Sequence, residues 1–290
     1  MQENILSIIQ EKLPFCSKGQ KRIGAYILDH YDKAAFMTAG KLGTTVQVSE
    51  STVVRFATCM GYDGYPGMQA ALQDIVRTRL TSVQRLEVAN NQLADQDVVS
   101  MVLQSDINAL RMTNEALSRD QLNAAVDALI RARSVYIIGV RSSSNIASFL
   151  NFYLRTMLDD VRFVHSSAST EMLEQMRHLD ERDICIGISL PRYSGRTVKL
   201  MHYAKDRGCS LVAITDSHQA PVARLSDYVL IAKSDMLSLV DSLVAPLSVV
   251  NALVVAVSQR LGKELSQSML DLERIWAEYA EYGGYEANGF

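Results

Sequence analysis

Ser134–Tyr153, SVYIIGVRSSSNIASFLNFY, runs from an apolar, β-branched segment through one glycine and a serine run into a pattern of helical period. Such a stretch is one unit of a parallel sheet if it recurs. It does recur: strand-like runs at 134–140 (SVYIIGV), 161–164 (VRFV), 183–189 (DICIGIS), 211–215 (LVAIT) and 227–232 (DYVLIA) alternate with helical stretches. Continuously apolar strands separated by helices imply a parallel sheet covered on both faces. Right-handed crossovers then give a doubly wound α/β domain whose ligand loops lie at the carboxyl ends of the strands. Ser238–Leu261 and Glu264–Tyr282 continue as helices.

Two strand–loop–helix junctions carry polar groups. After Gly139, the run Ser142 and Ser143 opens a helix, and backbone N–H groups with serine hydroxyls at a helix start form an anion site without any lysine. A capped helix in an ordinary turn reads equally well from this loop alone. A dinucleotide fingerprint does not, because only one of its glycines is present. The second junction, ISLPRYSGRT (188–197), puts Ser189 at a strand end and Arg192, Ser194 and Thr197 around Gly195. Two hydroxyls three residues apart at a helix start suit phosphate oxygens, and a guanidinium suits their charge. Arg196 reads as a solvated surface residue.

The first 80 residues look different. SKGQKRIGAYILDHY (17–31) reads as a helix with Ser17 as N-cap, and Gln69–Leu80 as another after the turn-rich GYDGYPGM. Between them, Met37–Gly61 reads as two short helices joined by a tight turn near Gln47–Ser49. With Val53 at the buried mid-point of the second helix, Leu42, Val46, Val48 and Phe56 supply the contacts between the two. Ser49, Ser51, Thr52 and Arg55 are left on the outer face or at the helix entry. Hydroxyls and one arginine there suit a helix that reads DNA; a helical hairpin that only packs is the alternative. Residues 81–133 read as a helical connection, with a capping-box pattern at Ser118 and Gln121.

Composition agrees and excludes other classes. The chain has 290 residues, 48% hydrophobic and 21% charged, room for one large domain and a small one. Four cysteines without a C-x-x-C pair and five histidines without metal spacing argue against a disulfide framework or metal site. The N-terminus lacks a basic, apolar leader, and Asn251–Ser258 is too short to span a bilayer, so a cytoplasmic protein without a membrane partner is expected. Residues 1–80 carry nine Lys+Arg against seven Asp+Glu, and 81–290 carry 20 against 25. That asymmetry is too small to identify a nucleic-acid binder.

VSESTVVRFATCMGYDGY (48–65), preceded by the helix at 17–31, resembles the N-terminal domain of the MurR/RpiR family of bacterial transcriptional regulators. The resemblance covers about residues 1–77. It makes Ser49, Ser51, Thr52 and Arg55 the DNA contacts. The chain departs from the family pattern in three places: Gly43 stands where alanine is usual, Gln47 where the turn has glycine, and YPGM (65–68) replaces a more charged run. Gly43 is expected to weaken its helix by about 1 kcal/mol relative to alanine. Residues 120–260 resemble a sugar isomerase (SIS) domain of flavodoxin-like fold. Its first ligand motif falls on GVRSS, giving Ser142 and Ser143, and its second on RYSGRT, giving Ser194 and Thr197 as the phosphate-gripping pair. Arg141 replaces a glycine of the first motif, Arg192 a serine of the second, and Ser189 is displaced upstream. The added charge suits a more anionic ligand, such as a phosphorylated sugar acid, or fills the pocket.

The resemblance implies a helix-turn-helix domain at 1–80, a helical linker at 81–118, a SIS domain at 119–265 and a C-terminal helix at 266–290. It implies a regulator of sugar metabolism, without cofactor, metal or catalysis, that binds a double-stranded DNA operator as a homodimer or homotetramer and senses a phosphosugar effector. A sugar-phosphate isomerase or lyase is the alternative. Such an enzyme needs a placed general base, and His165, Glu171, Glu174 and His218 are the residues near the loops. A third reading, an adaptor, would use the apolar stripe Leu272, Ile275, Trp276 and Tyr279, which equally suits core or a homodimer seam.

Overall fold

The computed structural model describes residues 5–79, 81, 83–86, 97–234 and 240–278. The described residues up to Met101, with Val240 and Asp241, form one compact unit; Val102 to Ser234 with Ser242 to Glu278 form a second.

The first unit is helical: α1 (Ile5–Lys12), a 3-10 turn (Leu13–Phe15), α2 (Lys18–Asp29), α3 (Tyr31–Ala34), α4 (Ala39–Thr45), α5 (Glu50–Cys59) and α6 (Gly64–Arg79). Ser17 caps α2 in a full capping box with Gln20, satisfying two otherwise orphaned N–H groups. The helix ends at Asp29, short of the predicted Tyr31, because His30 leaves the helical region. The predicted turn at 64–68 is instead the first turn of α6; Pro66 sits where helix N–H groups have no intrahelical acceptor, so it costs no hydrogen bond. From α6, Tyr65 Oη and Gln69 Nε2 donate to the Met37 carbonyl at 2.7 and 2.8 Å. Ile23, Ile27, Leu42, Val53, Phe56, Met68 and Leu72 make the core.

Gly43 and Gln47 both lie at the α4–α5 corner. A Cβ on Gly43 would lie 2.8 Å from the Val48 carbonyl oxygen, so the backbone approach there opposes the propensity gain expected of alanine. Gln47 holds the turn at φ 55°, a conformation costing a non-glycine residue about 1–2 kcal/mol. Its carbonyl accepts from Arg22 Nη2 at 2.9 Å, a bond that survives any side-chain change. Gln47→Gly should therefore raise the stability of the protein by about 1 kcal/mol in urea denaturation, whereas Gly43→Ala should lower it. A gain from Gly43→Ala would show that the corner relaxes freely.

The second unit contains α7 (Val98–Ala116, beginning in the first unit), α8 (Arg119–Arg131), β1 (Val135–Gly139), α9 (Ser143–Arg155), β2 (Val161–Val164), α10 (Ser169–Gln175), β3 (Ile184–Ile188), α11 (Gly195–Asp206), β4 (Ser210–Thr215), β5 (Tyr228–Ile231), α12 (Val244–Leu261) and α13 (Lys263–Glu278). All strands are parallel, in the order β2-β1-β3-β4-β5, the doubly wound arrangement that the apolar runs predict. One face packs Ile137, Ile146, Leu150, Ile186, Val212, Leu230 and Leu253 against α8, α9 and α12; the other packs Tyr136, Met172, Leu200, Met201 and Leu211 against α10 and α11. Ser118 caps α8, but Gln121 does not complete the box: its side-chain oxygen accepts from the edge-strand N–H of Val229 at 3.2 Å.

Predicted helix 238–261 begins at Val244; residues 235–239 lie outside the described residues, as do 279–282 of the predicted last helix, Tyr279 among them. By length and composition α12 could cross a bilayer, which the reading of 251–258 alone understates. It buries Ala245, Pro246, Val249, Val250, Leu253 and Val257.

Candidate functional site

The sheet order reverses direction at one place, between β1 and β3. Gly139 at the end of β1 pairs with Ile188 at the end of β3, so the loops that follow lie side by side in the crevice where open α/β sheets hold ligands. Ser142 and Ser143 stand on the first loop; Ser189, Arg192, Ser194 and Thr197 belong to the second and to the helix it enters.

The first loop is tightly built. A Cβ on Gly139 would meet the Ser143 carbonyl at 2.6 Å and the Ala147 Cβ at 2.7 Å, so glycine is what lets α9 start directly above the strand. Arg141 makes the bend at φ 59°, and its carbonyl accepts from the Ser144 N–H at 3.0 Å and the Ser144 hydroxyl at 2.6 Å. One serine of the run is thus spent on the loop itself. Ser143, in the first turn of α9, is buried, and Ser142, its N-cap, is exposed with no side-chain cap bond.

The second loop leaves its hydroxyls unused. Ser189 is 2% exposed and Thr197 fully buried, yet neither hydroxyl has a hydrogen-bond partner. A buried polar group left so costs about 1–3 kcal/mol, and native folds seldom tolerate it without a purpose. The Ser189 backbone is fully engaged: its N–H donates to the Ile214 carbonyl at 3.1 Å and its carbonyl accepts from the Thr215 hydroxyl at 2.6 Å. Ser194 is the half-buried N-cap of α11, and its side chain makes no cap bond either. Exposed Arg192 takes φ 61°, so both family-departing arginines sit in left-handed backbone at the mouth of the same crevice.

Three residues join this site that sequence reading did not single out. Tyr193 Oη donates to Asp216 Oδ1 at 2.9 Å, and Lys233 Nζ to the Asp216 carbonyl at 2.9 Å. They tie the second loop to the ends of β4 and β5. Only the strand-end position of Asp216 and Lys233 could have suggested them. Arg196 is not the solvated residue expected: partly buried, it donates to the Ser166 carbonyl at 3.3 Å. Of the residues considered for general base, all four are exposed; His165 stacks on Phe163 with ring centroids 4.8 Å apart, and Glu171 accepts from Ser166 Oγ. Among the described residues no cluster of metal-ligating side chains occurs.

At the opposite ends of β1 and β2 lies a cavity of about 290 Å3 lined by Arg133, Ser134, Tyr136, Asp160, Arg162 and His178. Its guanidiniums are taken: Arg133 pairs with Asp183 at 2.7 Å and Arg162 with Asp160 at 2.7 Å. The Arg162 bond, with help from the Ser134 hydroxyl, holds the Asp160 carboxyl below its usual range.

In the helical unit, α5 buries Val53, Phe56 and Ala57 and exposes Ser49, Ser51, Val54 and Arg55. The three hydroxyls form one cluster, Ser49 Oγ lying 3.0 Å from Ser51 Oγ and 2.9 Å from Thr52 Oγ1. Thr52 is only half exposed, because the first turn of α2 lies beside it: a Cβ on Gly19 would lie 3.6 Å from the Thr52 methyl. That packing brings exposed Lys18 and Arg22 to the flank of α5, two cations that the sequence alone did not connect to it. No carboxylate among the described residues pairs with Arg55.

Residues 3–78 match the helix-turn-helix domain of the rpiR family, and residues 128–256 match the SIS domain. Among the relatives, the transcriptional regulator HexR of Pseudomonas aeruginosa is 26% identical over 273 residues, 90% of this chain and 91% of its own. The sugar isomerase domain of an RpiR transcription factor from Sphaerobacter thermophilus is 29% identical, with a TM-score of 0.59, covering 62% of this chain and 99% of that one. The Vibrio vulnificus NanR protein complexed with ManNAc-6P is similar in fold, with a TM-score of 0.59 and 21% identity over 95% of this chain and 99% of that one.

Proposed function

Because the chain is an RpiR-type transcriptional regulator, a helix-turn-helix joined to a SIS domain, we propose that its β1/β3 crevice senses a phosphorylated sugar or sugar acid. The observation that carries this reading is the pair of buried, unbonded hydroxyls of Ser189 and Thr197 beside Ser194 at the start of α11. Phosphate oxygens there would accept from both Thr197 and Ser194 and meet the positive end of the helix. Arg141 and Arg192 at the mouth, with Lys233 behind, favour a ligand with more than one negative charge. The NanR relative is complexed with ManNAc-6P, which supports the phosphosugar class and leaves the sugar to be measured.

DNA would be read by α5, with Arg55 on base edges and Ser49, Ser51 and Thr52 at phosphate or base. Exposed apolar residues of the α/β unit, among them Leu103, Ile107 and Phe152, support pairing of two copies and hence two reading helices on a pseudo-palindromic site. Effector and DNA then share one linkage: a typical coupling of about 1–3 kcal/mol changes DNA affinity by roughly 5–150-fold.

The test is binding of the full chain to a duplex from upstream of its own gene, with and without each member of a panel of aldose, ketose and aldonic-acid phosphates. At least one member should change the affinity by about fivefold or more, while the unphosphorylated sugars do not. A panel without effect would sink the sensing reading, and conversion of a member by the protein would assign an isomerase instead.

A further inference from the structure

The four cysteines fall into two neighbouring pairs of opposite character. Cys185 in β3 and Cys209 just before β4 are buried, and burial pushes the Cys185 thiol well up and the Cys209 thiol to about 12. Such thiols are inert. The other pair lies in the helical unit. Cys16 closes the 3-10 turn, is 9% exposed, and its Sγ donates to the Lys12 carbonyl at 3.4 Å. Cys59 is the last residue of α5 and is exposed, and its carbonyl accepts from Lys12 Nζ at 3.1 Å. Lys12 therefore pins both residues. Leu13 and Phe56 both close on Gly24, which sets the 3-10 turn against the second half of α5. Cys59 neighbours Cys16: after burial, it is the main influence raising the Cys16 thiol, with Lys21 and Lys12 opposing it.

We propose that Cys16 and Cys59 form a peroxide-responsive thiol pair whose closure into a disulfide lowers DNA affinity. Cys59 reacts first, because solvent reaches it. Its thiolate attacks one oxygen of hydrogen peroxide, the O–O bond breaks, and the departing hydroxide is protonated to water, leaving a sulfenic acid. The Cys16 thiolate then attacks that sulfur; the S–S bond forms, the S–O bond breaks, and the second hydroxide leaves as water. The two sulfurs lose two electrons, the peroxide gains them, and the two thiol protons end in water. Closure to an S–S length of about 2.05 Å draws the last turn of α5 toward the 3-10 turn. Arg55 stands one turn before Cys59, at i and i+4 on the same side of the helix, so the pull on Cys59 re-aims the arginine.

The DNA part rests on α5 being the reading helix; the thiol part does not. Reduced full-length protein exposed to hydrogen peroxide should fall from four free thiols to two, with peptide mapping linking Cys16 to Cys59. Its affinity for the upstream duplex should drop about tenfold or more and return with dithiothreitol. Cys59→Ser, an exposed and conservative change, should bind DNA normally and ignore peroxide. The proposal is overturned by four surviving thiols, by a link elsewhere, by a Cys16–Cys59 link that leaves affinity unchanged, or by a Cys59→Ser protein that still responds. Reduced protein that binds no DNA would count against the regulator reading, and the thiol count would still decide the pair.

Discussion

With the phosphosugar reading proposed above, Ser194→Ala combined with Thr197→Val should abolish thermal stabilisation by the ligand while leaving the ligand-free protein as stable as before. Each hydroxyl lost to a charged phosphate removes about 1.5–3 kcal/mol of binding, so the pair should weaken affinity by a hundredfold or more. The fold is spared for a stated reason. Thr197 Oγ1 is buried without a partner, so valine keeps the packing and removes an unsatisfied group. Ser194 gives no side-chain cap to α11, so alanine removes no bond. A melting temperature that falls without ligand would show that these hydroxyls serve the fold, and an undiminished ligand shift would move the pocket elsewhere.

Arg55→Ala should weaken DNA binding by about 5–150-fold, the 1–3 kcal/mol of one bidentate arginine–base contact. Because Arg55 is exposed and no described carboxylate pairs with it, global stability should change by less than about 0.5 kcal/mol. Titration in salt separates two roles: a base contact relaxes sequence preference, whereas a phosphate contact weakens all duplexes alike and lowers the salt slope by about one. Unchanged affinity would remove α5 from the interface.

The architecture was legible because a parallel sheet buried on both faces writes itself as apolar runs. Ile184–Ile188 and Ser210–Thr215 could hardly be anything else. The α4–α5 corner was legible in its spacing but not in its strain. Nothing about glutamine at 47, or arginine at 141 and 192, announces a positive φ; departure from glycine in the family patterns hinted at it at 47 and 141, and nothing did at 192. Gly43 misled for the complementary reason: helix propensity is local, whereas the Val48 carbonyl that excludes a Cβ comes from across the turn. Which hydroxyls are left without a partner also depends on the tertiary fold. In the serine run after β1, Ser144 is consumed by the Arg141 carbonyl, and the buried, unbonded state of Ser189 and Thr197 emerges only once the loop is folded.

The single reversal in the strand order has a consequence for engineering. Most side chains on the five strands pack into two faces, whereas residues 140–144 and 189–197 follow β1 and β3 at the one point where the winding changes direction. With the crevice as the sensing site proposed above, a graft of those two segments from a relative with a different ligand should change the ligand response while the sheet and its helices keep their packing. On the sensing role proposed above, recognition specificity would be held by two exchangeable cassettes rather than distributed through the core.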